Sequence, residues 1–189
     1  MIGRSQYPDP YLNGIVDDFK IYKRALGGNE ISALYAVASY MSWIAGSFAS
    51  LDDPNTAQDA DPDGDGQSNL MEFALDGIPT SGAASGKVRQ GVETVAGEDA
   101  LVLTLPVRGA PVFSGTAAKS ATVDGVGYTI EGSNNLTDFD QGVTEVSPAS
   151  TAGMPGLDSG WSYRSFRLDG VVPARGATGF LRVRIEPGP

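Results

Sequence analysis

The chain has 189 residues, 13 Lys and Arg against 23 Asp and Glu, and a formal net charge of −10. An acidic surface of this size repels nucleic acid and anionic lipid headgroups, so nucleic-acid binding and electrostatic attachment to membranes are set aside. There is no Cys and no His, which excludes thiolate chemistry, disulfides, Cys/His zinc sites and His-based triads, and leaves oxygen as the only ligand type for a metal.

No apolar run is long enough to span a bilayer. The first residues lack the basic stretch and apolar run of a signal peptide. Either such a segment was removed or this chain is a piece of something longer. The 25 Gly and 12 Pro are spread along the chain, which suits short strands joined by turns. The expected fold class is mainly β: a small β-sandwich with a helix-loop-helix insert of EF-hand type and an N-terminal strand tail.

The first zone is residues 1–37. Asn13-Gly14 is a turn signal, and IVDDFKIY from Ile15 to Tyr22 alternates as a half-buried strand does. Asn29 is expected to cap a short helix over EISALYAVA. The run from Ile2 to Tyr35, IGRSQYPDPYLNGIVDDFKIYKRALGGNEISALY, resembles the end of a LamG-type, concanavalin A-like jelly roll, with its closing strand, "RAL" and short "EI" helix. The resemblance implies a secreted, extracellular or cell-surface protein and covers only the last part of such a domain. A full jelly roll needs many more strands, and a lone strand or hairpin has nowhere to bury its apolar face. The tail is therefore expected to pack on later zones or on another chain, strand donation to a neighbouring copy being one route, unless the chain is a fragment.

The second zone is residues 38–78. SYMSWIAGSFASL places Met41, Ile44, Ala45 and Phe48 on one helical face, bordered by Trp43. An acidic stretch follows, then a second short helix in SNLMEFALDG, with Gly77 as its expected C-cap and Pro79 as a stop. Residues 79–86 read as a linker. Residues 87–189 read as a C-terminal β-sandwich, with strands at ALVLTLPV, GYTIEGS, SYRSFRL and GFLRVRI, each expected to have one wet face. GYTIEGSNNLTDF and the terminal GFLRVRIEP resemble C-terminal β modules of large secreted bacterial proteins.

The chemistry lies in residues 61–72, DPDGDGQSNLME, which fit the pattern D-x-[DN]-x-[DN]-G-x5-E. Asp61, Asp63 and Asp65 occupy loop positions 1, 3 and 5, and Gly66 occupies position 6, where the chain turns sharply. Gln67 offers a backbone carbonyl, Asn69 a side-chain oxygen directly or through water, and Glu72 two oxygens at once. Calcium takes roughly six to eight oxygens at about 2.3–2.6 Å, and this set supplies them. Alternate residues in a coiled loop converge, so four carboxylates repel one another until a cation arrives. The other reading of such a tract is a solvated acidic spacer. DPDGDGQSNLMEFALDG resembles the single calcium loops of the dockerin and thrombospondin type 3 kind. Ser68 stands where paired regulatory EF-hands carry an apolar residue, and no second loop is present. A structural calcium at a domain junction is therefore expected in place of a paired sensor.

Other candidates have plainer readings. Asp17-Asp18 offers a paired acid, or the polar end of a strand. Asp52-Asp53 and Asp59 would add to a cation's field, or simply form loops. Glu131 alternates with apolar positions and is expected to face water. Trp161, Tyr163 and Phe166 offer a sugar-stacking platform, or core and rim aromatics. Asn135-Leu136-Thr137 fits a glycosylation acceptor. Without His, Cys or a convincing carboxylate pair, no enzyme is expected. The function expected is a non-catalytic, calcium-stabilised extracellular structural or assembly protein that self-associates, in its sharpest form as a fibre. The alternative is a polysaccharide-binding accessory region of a secreted glycoside hydrolase.

Overall fold

The computed structural model describes residues 20–83, 85–170 and 178–188. The strand expected from Ile15, the Asn13-Gly14 turn and Asp17-Asp18 lie outside the described residues, apart from the last positions of that strand. Lys20, Ile21 and Tyr22 have no regular structure and are exposed.

The first helix, α1, runs from Gly28 to Ile44. It begins one residue after Gly27, whose N–H donates to the Glu30 carboxylate at 2.9 Å, while Arg24 holds that carboxylate from the other side at 2.7 Å. Asn29 is thus inside the first turn and is not the cap. No Gly or Pro interrupts the run to Ile44, so one helix of 17 residues crosses the boundary expected at residue 37. Its buried stripe is Tyr40 and Ile44, with Trp43 beside them, at the i, i+3, i+4 spacing of one face. The expected stripe is corrected by this rotation: Met41 is 36% exposed, and Ala45 lies past the helix end and is exposed.

Asp53 caps a short 3₁₀ turn, Pro54–Thr56, by accepting the Asn55 N–H at 2.9 Å. Asp52 and Asp59 are exposed loop residues. After the acidic loop, Ser68 caps the second helix, α2, Asn69–Leu75. Its C-cap is Asp76, in the left-handed region at φ 59°, and not Gly77. Gly77 is needed for another reason: a side chain there would come within 2.8 Å of Glu72 Cβ.

The β part has seven described strands in two sheets: β1 Arg89–Val95, β2 Glu98–Arg108, β3 Lys119–Val123, β4 Val126–Ser133, β5 Val143–Val146, β6 Trp161–Leu168 and β7 Phe180–Pro187. One sheet has the order β1-β2-β6-β5 and the other β3-β4-β7, with every described pairing antiparallel. This is a mainly β fold consistent with a small β-sandwich, as the alternating segments predict. The four expected strands are β2, β4, β6 and β7, and the structure adds β1, β3 and β5. Hairpins β1–β2 and β3–β4 turn through Ala96-Gly97 and Asp124-Gly125, all four at positive φ, as tight two-residue hairpin turns require.

Leu103, Leu105 and Val107 of β2, Phe166 and Leu168 of β6, and Tyr128 and Ile130 of β4 form the core between the sheets. The expectation of one wet face per strand fails at β2, where Val102 and Thr104 are buried as well. The chain after β5 crosses the outer face of this sheet. Ser150 N–H donates to Ser165 Oγ at 2.8 Å, and Arg89 donates to the carbonyls of Ser150 and Ala152 at 3.0 and 2.7 Å. Beneath it the Thr104 and Ser165 hydroxyls bond at 2.7 Å, which satisfies both polar groups out of reach of water.

Helix α2 touches β2 and β7, one strand from each sheet, so it lies across the end of the sandwich. Tyr40 and Phe73 pack edge-on with ring centres 5.4 Å apart, and Trp43 and Trp161 flank Phe73. Arg108 slots its guanidinium between the Phe73 and Trp161 rings, 4.1 and 4.4 Å from their centres, and pairs with Asp124 at 2.9 Å. No described helix is long and apolar enough to cross a membrane.

Candidate metal centre

The acidic loop is shaped by its own carboxylates. Asp61 accepts the N–H groups of Gly64 and Gly66 at 3.0 and 2.9 Å, Asp63 that of Asp65 at 3.2 Å, and Asp65 that of Gln67 at 2.8 Å. Gly64 and Gly66 sit at φ 75° and 91°, a conformation that residues with a Cβ rarely adopt, so the spacing of glycines is what lets the chain coil. The coil brings carboxylate oxygens of Asp61, Asp63 and Asp65 within 4.8 Å of one another. Gln67 lies beside them, its side-chain amide donating to Asp65 Oδ2 at 3.0 Å.

Glu72 comes from the first turn of α2. It is 2% exposed, and its Oε2 is buried without a hydrogen-bond partner, as is Asp63 Oδ2. A buried carboxylate oxygen with nothing to accept from is costly. Burial first, then the charges of Asp63 and Asp65, push the Glu72 carboxyl up to about 7, against the pull of the Ile78 N–H. A cation among these oxygens would satisfy the orphaned lone pairs and remove the repulsion together. The residues present therefore fit a hard divalent ion.

Asn69 is fully buried at the start of α2. Its amide nitrogen donates to the carbonyls of Asn55 and Ala57 at 2.7 and 2.8 Å, and its Oδ1 has no partner. The structure thus gathers the three aspartates with Gln67 beside Asp65, leaves Glu72 outside the group of ligand atoms that lie within 4.8 Å of one another, and spends both amide hydrogens of Asn69 on the carbonyls of Asn55 and Ala57.

Behind the loop, a cavity of about 280 Å³ is lined by Asp65, Gln67, Glu72, Asp76, Ser81 and Lys87 among others. A side chain on Gly82 would lie 3.1 Å from Asp65 Cβ, so the segment after α2 passes close to the loop. Asp76 ties this region to the sandwich: its carboxylate accepts from Lys87 Nζ at 2.7 Å and from Asp158 N–H at 3.1 Å, and its carbonyl also accepts from Lys87 at 2.8 Å. Tyr128 adds a second tie, its hydroxyl donating to the Ala74 carbonyl at 2.9 Å and accepting from Arg108 N–H at 3.2 Å. Sequence reasoning missed Asp76, Lys87, Arg108 and Tyr128. The one local signal was an Asp before Gly at a helix end.

The remaining candidates do not converge. Phe166 is in the core, while Trp161 and Tyr163 lie on the opposite face of β6, donating to the Phe73 and Pro155 carbonyls. Glu131, expected to face water, has a side chain only 13% exposed and pairs with Arg182 at 2.8 Å. Asn135 uses its side chain to accept the N–H groups of Thr137 and Asp138. Against protein-family models, curated proteins and solved structures, the chain gives no match.

Proposed function

We propose that residues 61–72 bind one calcium ion and that the chain is a non-catalytic, calcium-stabilised structural module of an extracellular protein. The observation that carries this reading is the gathering of three aspartates by the loop's own backbone, followed at the loop's twelfth position by Glu72, a buried carboxylate with an orphaned oxygen. Its oxygen-only donor set favours a hard cation, and loop spacing with a carboxylate at the twelfth position favours calcium over the smaller, strictly octahedral magnesium. The ion's task is to fix α2, which carries Phe73 and the Asp76 and Ala74 ties, across the end of the sandwich. Calorimetric titration tests it: calcium should bind at one site with a Kd of about 10⁻⁴–10⁻³ M, the range of extracellular modules, and absence of heat or of any thermal stabilisation by calcium refutes it.

Assembly by strand donation is the further part of this proposal. The sheets end in β1 and β5, and in β3 and β7, whose outer edges are where a donated strand would pair. The donor would be the segment before Lys20, outside the described residues. Light scattering with calcium and with chelator tests it: large species with calcium support assembly, and a monomer in both removes it.

A second reading, polysaccharide binding, rests on an open groove of about 440 Å³ between α1 and the sandwich, lined by Tyr35, Ser39, Ser42, Trp43, Arg108 and Trp161 among others. Aromatic faces beside hydroxyls and a guanidinium are suited to sugar rings. Tyr35 is 65% exposed, so Tyr35→Ala should abolish retardation in polysaccharide gels without altering stability. Equal mobility of both proteins in every polysaccharide rules the groove out.

A further inference from the structure

Asn69 sits at the seam between the candidate ion loop and the rest of the helical layer. A primary amide has two hydrogens to donate, and both go to the backbone of residues 55–57, on the Asn55 and Ala57 carbonyls. The main chain reinforces this, with Asn69 N–H on Ala60 O at 2.8 Å and Leu70 N–H on Gln58 O at 2.9 Å. The same short segment holds α1. The Tyr40 hydroxyl, buried, donates to the Thr56 carbonyl at 2.8 Å. A continuous path therefore runs from loop 61–72 through Asn69 to the 3₁₀ turn, and from Thr56 through Tyr40 into α1.

The path has a weak link at its start. α2 has only seven residues, too few to stand as a helix by its own hydrogen bonds. Its first turn carries Glu72, which is 2% exposed and has a buried Oε2 with no hydrogen-bond partner. Without a cation that oxygen stays unsatisfied, and the cost falls on the turn that positions Asn69. If the turn frays, both donations to residues 55–57 break, and the contact that seats Tyr40 goes with them.

We propose that Asn69 is a positioning residue that passes ion occupancy to α1: a bound cation fixes the start of α2, Asn69 then holds the 3₁₀ turn in place, and the turn holds the C-terminal half of α1 against the sandwich. This rests on the reading of residues 61–72 as a cation site. The cation thereby governs an apolar groove of about 430 Å³ formed between α1 and the turn by Val37, Tyr40, Met41, Pro54, Thr56 and Ala57 among others. That groove exists only while the turn lies along the helix.

Hydrogen exchange, read residue by residue with calcium and with excess chelator, tests the coupling, alongside a calcium titration of each protein. In the wild type, calcium should slow exchange of the Thr56 and Ala57 amides and of the α1 amides near Tyr40 by about tenfold or more, the scale of losing two buried hydrogen bonds. Asn69→Asp keeps a side-chain oxygen for the ion and removes both donated hydrogens. Its calcium uptake is read by its own titration, and in the calcium-saturated variant α1 should no longer be protected. Retained protection of α1 in that variant, or calcium-independent α1 exchange in a wild type that does bind calcium, overturns the proposal. Failure of the wild type to take up calcium is seen in the titration itself and removes the underlying site reading. Should Asn69→Asp not fold, Tyr40→Phe removes only the bond to Thr56: calcium should still protect residues 54–58 but protect α1 less than in the wild type. Equal α1 protection in that variant counts against the path.

Discussion

Replacing Glu72 by Gln has opposite expected effects with and without calcium. Gln keeps the size of the side chain and an oxygen to accept the Ile78 N–H, but removes the charge that burial and three aspartates oppose. In chelator at pH 8, where Glu72 is ionised, the variant should melt at or above the wild-type temperature. With calcium the order reverses. For a Kd of about 10⁻⁴ M and about 10 mM calcium, the wild type gains about 2.7 kcal/mol. At about 2–4 °C per kcal/mol for a chain of this size, that is a rise of about 5–10 °C in Tm. Most of this rise should be missing in Glu72→Gln, which lacks the paired anionic oxygens. Differential scanning calorimetry of both proteins in both buffers reads all four values. A variant that melts lower than wild type by the same amount in chelator and in calcium would show that Glu72 holds the fold and not an ion.

The same group predicts a pH dependence for the calcium-free protein. Its folded pKa is raised from 4.5 to about 7, so the native state holds this proton more tightly than the unfolded chain. Its contribution to stability is complete below about pH 4.5 and is lost as pH rises through about 7; urea midpoints in chelator should fall across that window in wild type, and a flat profile equal to that of Glu72→Gln refutes the assignment. Lys87→Met leaves the Asp76 carboxylate, 2% exposed, with only the Asp158 N–H, and should cost about 3 kcal/mol in denaturant melts; a loss under about 1 kcal/mol would mean that water takes the place of the ammonium at Asp76. Tyr128→Phe deletes the hydroxyl shared by Ala74 and Arg108 and should cost about 1–3 kcal/mol, with calcium affinity little changed. A large loss of affinity with unchanged stability would contradict its role as a tie between α2 and β4.

The parts that were legible in the sequence are those set by neighbours along the chain. The acidic loop is one: the aspartates recur at alternate positions with glycine at the turn, and local geometry alone makes them converge. Strands β2, β4, β6 and β7 are another, because each carries enough apolar residues to state its period. The strands that escaped, β1, β3 and β5, lie at sheet edges and carry fewer apolar residues, whereas β7, also an edge, was legible from the alternation in FLRVRI. The division at residue 37 and the stripe on α1 were misplaced for a related reason. A helix with no breaker does not announce where it meets its neighbour, and Tyr40 rather than Met41 faces inward because Phe73 and Thr56 wait on that side. Tertiary structure alone decided that Asn69 spends its hydrogens on residues 55–57, that Lys87 reaches back to Asp76, and that Arg108 lies between Phe73 and Trp161. Each of these joins groups far apart in the chain or in separate elements, and a contact of that kind depends on where two elements land in space, which a local pattern of residues does not encode.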